Sequence, residues 1–291
     1  MLGGIDHVVI AVADLERAVA GFGQLGFTVV RGGRHTAVGT HNALVAFSDG
    51  TYLELIAFLV ESSPHPWFAA VARGGGLTDV CLRTDDLDAD LASFARAGAR
   101  MSDPFAMERT RPDGYAVRWM LAVPLPPSAG AVPLLIQDTT PRDQRVPRER
   151  VHGNGATGIG TLTVAVEDAA AACAFYEDVL GARGEDVRQE DLGTRGARFH
   201  VGPHTAAARG ADGRRWGRLA MASRARPVAL RADAAGRSGR GLAARRRPVA
   251  GGSHPALRIA LTDSRIGGKI AAHAWRRSDG IRPRGDTRPP G

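Results

Sequence analysis

Apolar residues at the start of the chain recur first with the period of a strand and then with that of a helix. This order predicts a unit of one strand, one helix and three more strands. The predicted elements are a strand at 5–12, a helix at 15–25 and strands at 28–31, 41–47 and 51–58. Asp14 is a typical helix cap and Gly26 ends the helix. Asp49-Gly50, between two apolar runs, indicates a hairpin that joins the last two strands.

The same order of elements recurs further along the chain. The second copy consists of a strand at 77–84, a helix at 87–97 and strands at 115–123 and 132–137. The third copy consists of a strand from Gly158, a helix at 169–180 and strands near 184–189 and 195–201. No fourth strand is predicted in that copy before an Arg-rich segment begins. The internal repeat therefore predicts an α+β fold of repeated βαβββ units, of which the third is incomplete.

The end of the chain has a different composition from the rest. Residues 205–291 hold 20 of the 38 Arg and Lys residues but only 5 of the 30 Asp and Glu residues. Lys269 is the one lysine of the chain, as expected of a GC-rich bacterial gene, and such a gene read in the wrong frame yields Arg, Ala, Gly and Pro. We interpret 205–291 as a disordered basic low-complexity tail, with a frameshift near residue 205 as the hypothesis for its origin. A nucleic-acid-binding arm is the alternative, which we disfavour.

These patterns divide the chain into three parts. They are a domain of two units at 1–147 (about 3–58 and 76–138), a third unit at 148–204 after a polar linker, and the tail at 205–291. No apolar run is long enough to span a membrane, and the N-terminus lacks the basic segment of a signal peptide. The two cysteines cannot form a disulfide framework, and we expect a cytoplasmic protein.

Several short motifs resemble one known superfamily. The first strand reads D-H-V-V-I-A-V from Asp6, and the third helix contains F-Y-E-D-V-L-G from Phe175. Both are similar to the vicinal oxygen chelate superfamily, which includes glyoxalases, bleomycin-resistance proteins and dioxygenases. The motifs G-G-R-H, G-T-H-N-A-L, Y-L-E-L-I and P-D-G-Y-A-V-R-W, which lie between 32 and 119, resemble its glyoxalase-like domain branch.

The resemblance implies that two units pair into a cup-shaped, curved mixed sheet around a divalent metal ion. In metal-dependent members each unit supplies a His from its first strand and a Glu from its last. His7 and Glu54 match these positions in the first unit, whereas the second unit has Asp79 opposite His7 and the apolar Leu134 near the other position. The implied ligands are therefore His7, Glu54 and Asp79, for Zn, Ni, Fe or Mn.

Strand alternation adds candidates for a substrate site. It places Tyr52, Glu54 and Ile56 on one face, where a carboxylate needs a partner, a metal or a proton. His41 and Asn42 open the next strand on opposite faces, and we expect His41 to line the cavity as a third ligand or general base.

Three further side chains could surround a ligand. Arg118 and Trp119 offer a cation and an aromatic wall, of which one at most faces the cup. His35, in a Gly-rich stretch, is expected in a loop at the mouth.

Two functions follow from these residues. The first is a metal-assisted lyase or isomerase step, or an oxygenation, on a small oxygen-rich substrate, with Glu54 and His41 as the catalytic residues and Asn42, Tyr52, Arg118 and Trp119 around the substrate. The alternative is a metal-free protein that only binds a small molecule, as bleomycin-resistance proteins do. A homodimer is one way in which the third unit could find a partner.

Overall fold

The computed structural model describes residues 1–166, 168–189, 194–211, 256–263 and 269–273. It is an α+β structure with mixed sheets. The strands are β1 (Leu2–Ala11), β2 (Val30–His35), β3 (Thr40–Ala46), β4 (Tyr52–Phe58), β5 (Gly76–Thr84), β6 (Phe105–Thr110), β7 (Ala116–Ala122), β8 (Leu134–Asp138), β9 (Ala156–Ala165), β10 (Glu185–Gln189), β11 (Thr194–Val201), β12 (His204–Ala211), β13 (Ala256–Asp263) and β14 (Lys269–His273). The helices are α1 (Leu15–Gln24), α2 (Pro66–Ala72), α3 (Leu87–Arg96), α4 (Arg142–Arg145) and α5 (Ala169–Leu180). Within these residues no helix is both long and apolar enough to cross a membrane.

The first eight strands close into a barrel in the order β1-β4-β3-β2-β6-β7-β8-β5. In this barrel β1 pairs in parallel with β4 and antiparallel with β5, so it joins the two halves. The opposite seam joins β2 to β6 through the pair Arg34 and Thr110. Strand β6 has no counterpart among the strands predicted from the sequence.

A second sheet has the order β10-β11-β12-β9-β13-β14. In it β12 pairs in parallel with β9, as β4 does with β1. The prediction that the third copy lacks a fourth strand was therefore wrong, and β12 crosses the boundary predicted at residue 204. The signal was weak because β12 is built around Ala206, Ala207 and Ala208, and alanine has a low strand propensity. Strand β12 nevertheless lies between β11 and β9, and these small side chains are buried.

The segment predicted to be a tail also contributes to this sheet. Strand β13 pairs antiparallel with β9, the position that β5 holds beside β1, and β14 pairs with β13. Residues 212–255, 264–268 and 274–291, on which most of the predicted disorder falls, lie outside the described residues. The frameshift remains a hypothesis.

The helices α1 and α3 lie outside the barrel, and this arrangement defines its inner face. Leu15 of α1 packs on Ala43, Leu55 and Ala57, so these residues of β3 and β4 point outward. The alternate residues therefore point inward. The inner face of the first half is formed by His7, Val9 and Ala11 of β1, Asn42, Leu44 and Ala46 of β3, and Tyr52, Glu54 and Ile56 of β4.

The segment after β8, predicted to be a polar linker, packs on the barrel. Val146 contacts Leu44, Ala46 and Tyr52 of the inner face. A little further on, the ring of His152 accepts a hydrogen bond from the Thr28 amide at 3.0 Å. The predicted division at 147 therefore falls within a segment that is packed against the first half of the barrel.

Candidate functional site

Glu54 lies at the middle of the inner face and is only 7% exposed. Asn42 Nδ2 donates to Glu54 Oε1 at 2.6 Å. His7 Nε2 lies 3.4 Å from Oε2, and His35 Nε2 lies 3.9 Å from Oε1. Burial alone would raise the pKa of Glu54, but His7, His35 and the Asn42 hydrogen bond lower it below its ordinary value. The carboxylate is therefore ionised at neutral pH although it is removed from water.

The two histidines are both oriented through Nδ1. His7 Nδ1 lies 2.8 Å from Asp6 Oδ1, and His35 Nδ1 lies 3.1 Å from Thr40 Oγ1. Each ring thus presents Nε2 to Glu54. Burial lowers the pKa of His35 to about 4, so this ring is neutral at pH 7. His35 was expected in a loop, but it ends β2 and is buried, because the Gly-rich stretch before it is part of the strand.

The structure corrects the predicted orientation of β3. Asn42, not His41, points inward, and His41 lines a surface cleft with Leu15, Glu16 and Arg31. The prediction assigned the cavity to the wrong face because both faces of β3 are buried, one by the barrel interior and one by α1. His41 cannot reach Glu54 from this position.

Asp79 lies on the other side of β1 from Glu54. In the strand register Val9 pairs with Glu54 of β4 and with Asp79 of β5, so the two carboxyl groups flank one residue. Trp67 Nε1 donates to Asp79 Oδ2 at 2.7 Å. Burial raises the pKa of Asp79 to about 6, although the Trp67 hydrogen bond and the nearby His7 lower it. The environments of the two carboxyl groups therefore move their pKa values in opposite directions.

The second half of the barrel lines its interior mainly with apolar side chains. Cys81, Val117, Trp119, Leu134 and Ile136 form one buried cluster. Trp119 meets the His35 ring edge to face, with centroids 5.8 Å apart. Its neighbour Arg118 is exposed and pairs with Glu108 on the outer surface, so it does not face the cup. Of the two predicted wall residues, Trp119 is the one that lines the interior.

Two arginines inside the barrel were not singled out in the sequence. Arg145 of α4 is 3% exposed and forms ion pairs with Asp6 and Asp138. It also donates to the hydroxyl of Tyr52 at 2.6 Å, and the Tyr52 ring stacks on His7. Arg109 of β6 is likewise 3% exposed. Their sequence signal is weak, because an arginine on a short helix or an edge of an alternating strand is typical of a protein surface.

These side chains do not match the metal site that the resemblance implied. Asp79 is engaged by Trp67 on the far side of β1, and the position of the remaining ligand is the apolar Leu134. The Glu54 oxygen that faces His35 already accepts a hydrogen bond from Asn42. In the part of the chain that the structure describes, no three His, Cys, Asp or Glu side chains are grouped so as to hold a metal ion.

Comparison with known proteins identifies the family. The sequence profile of the glyoxalase-like domain matches residues 5–180. The chain belongs to the glyoxalase-like domain family. In this glyoxalase-like domain protein a second profile, of the glyoxalase/bleomycin resistance protein/dioxygenase superfamily, matches residues 158–215 and includes β12. The resemblance found in the sequence motifs is thus confirmed.

Individual relatives cover parts of the glyoxalase-like domain protein. It is 35% identical over 104 residues to the ethylmalonyl-CoA/methylmalonyl-CoA epimerase of Cereibacter sphaeroides, which is 35% of this chain and 75% of the relative. A hypothetical protein from Staphylococcus aureus has a similar fold, with a TM-score of 0.55, 17% identity and coverage of 72% of this chain and 86% of that one. Methylmalonyl-CoA epimerase from Mycobacterium tuberculosis is 29% identical, with a TM-score of 0.39 and coverage of 47% and 89%.

Proposed function

We propose that the barrel is a pair of βαβββ units enclosing a small-molecule site, and that Glu54 is a general base that removes a proton from a carbon next to a carbonyl group. The observation that carries this proposal is the pair of carboxyl groups on either side of Val9 with oppositely shifted pKa values. Two titratable groups whose environments separate their pKa values are typical of an acid and a base that act together.

The proposed reaction is an isomerisation without a change in oxidation state. Glu54 takes the proton from the substrate carbon, and the electron pair of the broken C–H bond moves onto the carbonyl oxygen as an enolate. Asp79, half protonated near pH 6, returns a proton to the enolate and restores a C–H bond. The 35% identical relative is an ethylmalonyl-CoA/methylmalonyl-CoA epimerase, and this similarity supports a reaction of this type.

The proposal places no metal ion at Glu54, because the two positions that the resemblance would add to His7 and Glu54 supply no ligand: Asp79 is bound by Trp67, and the other position is the apolar Leu134. The facial triad that Asp79 or His41 would complete with His7 and Glu54 is not formed, because Asp79 is engaged by Trp67 and His41 points outward. Both halves of the site come from one chain, so the proposal does not depend on a homodimer.

Deuterium incorporation from D2O tests this function. The full-length protein is incubated with a panel of 2-oxo acids, 3-oxo acids and acyl thioesters, and loss of the proton next to the carbonyl is followed by NMR. We expect exchange with at least one class and its loss in Glu54→Gln, which keeps the shape of the side chain. The matched control is Glu108→Gln, which removes an exposed carboxylate from the outer surface of β6. Equal exchange in Glu54→Gln and wild type would rule out the role of Glu54.

The second candidate function is binding without chemistry. The apolar wall from Cys81, Val117, Trp119, Leu134 and Ile136 favours it, because such a wall can hold a ligand and does not supply reacting groups. Ligands that raise the melting temperature of wild type and of Glu54→Gln equally, with no exchange in either, would support this candidate over the isomerase.

A further inference from the structure

Arg109 is a buried cation that lacks an anionic partner in the ligand-free protein. Its side chain is 3% exposed, and its Nη2 donates to the backbone oxygen of Arg145 at 2.8 Å. Its Nε makes no hydrogen bond, and among the described residues no carboxylate lies within ion-pair distance of it. Burial accordingly lowers the pKa of its guanidinium, and the groups that oppose this effect are Tyr52 and, after it, Glu54.

The neighbouring Arg145 is a guanidinium in the same barrel that does have anionic partners. It is equally buried, but it is bound by the carboxylates of Asp6 and Asp138. A buried charge without a partner is strongly unfavourable, whereas a buried charge that is paired and hydrogen-bonded can be close to neutral in its effect on stability. The contrast indicates that the anionic partner of Arg109 is a bound molecule and not another residue of the described chain.

The surroundings of Arg109 connect it to the proposed site. Gly32 lacks a side chain, and a Cβ there would lie 2.0 Å from Asn42 Oδ1 and 2.9 Å from Arg109 Nη1. The lack of a side chain at residue 32 thus leaves room for two groups, the amide that binds Glu54 and the guanidinium of Arg109. Asn42 Oδ1 is also buried without a hydrogen-bond partner. The guanidinium with the unpaired donor Nε and the amide with the unpaired acceptor Oδ1 therefore both lie against Gly32, and this amide binds Glu54.

We propose that Arg109 binds a carboxylate group of the ligand. This inference rests on the proposed function for the position of the reacting carbon, and it narrows the substrate class to small carbonyl compounds that also carry a carboxylate. The guanidinium Nε–H and one Nη–H form a fork that matches the two oxygens of a carboxylate. Bound in this way, the substrate would present the carbon next to its carbonyl to Glu54.

Thermal shift and calorimetric titration test the proposal with four probes: acetate, pyruvate, malonate and methylmalonate. The variants are Arg109→Gln and, as a matched control, Arg118→Gln, which removes an exposed arginine from the adjacent strand. We expect at least one carboxylate to raise the melting temperature of wild type and of Arg118→Gln, with the uncharged diamide of methylmalonate inactive. Binding to Arg109→Gln should be roughly 10- to 100-fold weaker, as expected for a lost hydrogen bond to a charged group.

A second readout separates ligand binding from a structural role. Because Arg109 is unpaired, Arg109→Gln should leave the melting temperature of the ligand-free protein unchanged or raise it. A lower melting temperature with unchanged carboxylate affinity, or no stabilisation of wild type by any of the four carboxylates, would overturn the proposal.

The tests of the two proposals are distinguishable. Carboxylate binding that depends on Arg109 without deuterium exchange would contradict only the role of Glu54, and exchange with an unchanged KM in Arg109→Gln would contradict only the role of Arg109.

Discussion

The buried ion pairs of Arg145 give the sharpest test of how the barrel is held together. Arg145 donates to Asp6, Asp138 and Tyr52, and Asp6 is completely buried. In Arg145→Met the side-chain volume is nearly kept, but Asp6 loses the partner that most strongly lowers its pKa. Removing one member of a buried ion pair typically costs about 3–5 kcal/mol. Arg142 still contacts Asp6, so we expect a loss near about 3 kcal/mol, the lower end of that range.

The matched control is Arg118→Met, which breaks an ion pair on the outer surface. Its side chain and that of Glu108 are 60% and 48% exposed, and such pairs contribute about 0–1 kcal/mol. Urea unfolding at pH 7 can be followed through tryptophan fluorescence, to which Trp67 and Trp119 of the barrel contribute along with the two other tryptophans of the chain. If Arg145→Met costs no more free energy of unfolding than Arg118→Met, the buried network does not stabilise the barrel and our argument fails.

The effect of Arg145→Met on the free energy of unfolding should also depend on pH. The pKa of Asp6 is lowered well below its usual value, so its ionised form contributes stability above its unfolded pKa of about 3.9. That contribution is lost as the pH falls through the folded pKa. In Arg145→Met the pKa of Asp6 rises, so the variant has already lost this contribution at neutral pH. The difference between wild type and Arg145→Met should therefore narrow from pH 7 to pH 3, and a constant difference would contradict the assignment to Asp6.

Three further predictions concern the site and the barrel seam. If protonated Asp79 returns the proton, the rate of deuterium exchange should fall as the pH rises through about 6. Trp67→Phe should move this fall to higher pH, because the Trp67 hydrogen bond lowers the pKa of Asp79. A pH profile that Trp67→Phe leaves unchanged would count against this role of Asp79. Treatment with EDTA followed by gel filtration should leave the rate of deuterium exchange unchanged. If instead the purified protein contains metal in proportion to protein, and Glu54→Ala lacks that metal, the assignment of Glu54 as a metal ligand would be restored. Gly33→Ala should lower the free energy of unfolding by about 2 kcal/mol or more, because Gly33 has a φ of +130° and a Cβ there would lie 1.9 Å from the Thr110 oxygen. The control Gly114→Ala, at a φ of +85° with open space around it, should lower it by about 1 kcal/mol. Equal losses in the two variants would show that the contact with Thr110 does not matter.

The sequence was sufficient for the elements whose apolar period is strong. The strand that carries His7 and the strand that carries Glu54 were both predicted, and so was the common face of Tyr52 and Glu54. Strand β12 was missed because its buried positions are alanines, which give little strand signal. Period alone is therefore informative where the buried side chains are large and β-branched.

Which face of a strand points inward was not predictable for β3. Alternation separates His41 from Asn42, but both sides of this strand are buried, so the pattern shows two faces without saying which one encloses the cavity. The assignment depends on where α1 packs. A histidine was preferred over an asparagine on chemical grounds, and the three-dimensional arrangement reversed that choice.

The charged residues of the interior depend on contacts between distant parts of the chain. Arg145 and Asp6 are 139 residues apart, and Arg145 and Tyr52 are 93 apart. Within its own segment Arg145 is one of several arginines in a Pro-bearing stretch, which is a typical surface composition. No local pattern distinguishes it from Arg148, which is exposed and pairs with Asp143. The closed barrel brings Arg145, together with Arg142, to the buried carboxylate of Asp6.

The two halves of the barrel differ in chemical character, and this difference limits where a reaction could take place. The first half supplies Glu54 and His7, whereas the wall opposite is mainly apolar and carries the buried cation Arg109. The second half directs Asp79 and Asp138 into the interior, but Asp138 is bound by Arg145, whereas Asp79 lies next to the shared strand β1. Adjacent strands are about 4.8 Å apart, so Glu54 and Asp79 are separated by about 10 Å at their backbones, which leaves room for one carbon centre between their side chains. A substrate carbon that both groups can reach must therefore lie over β1.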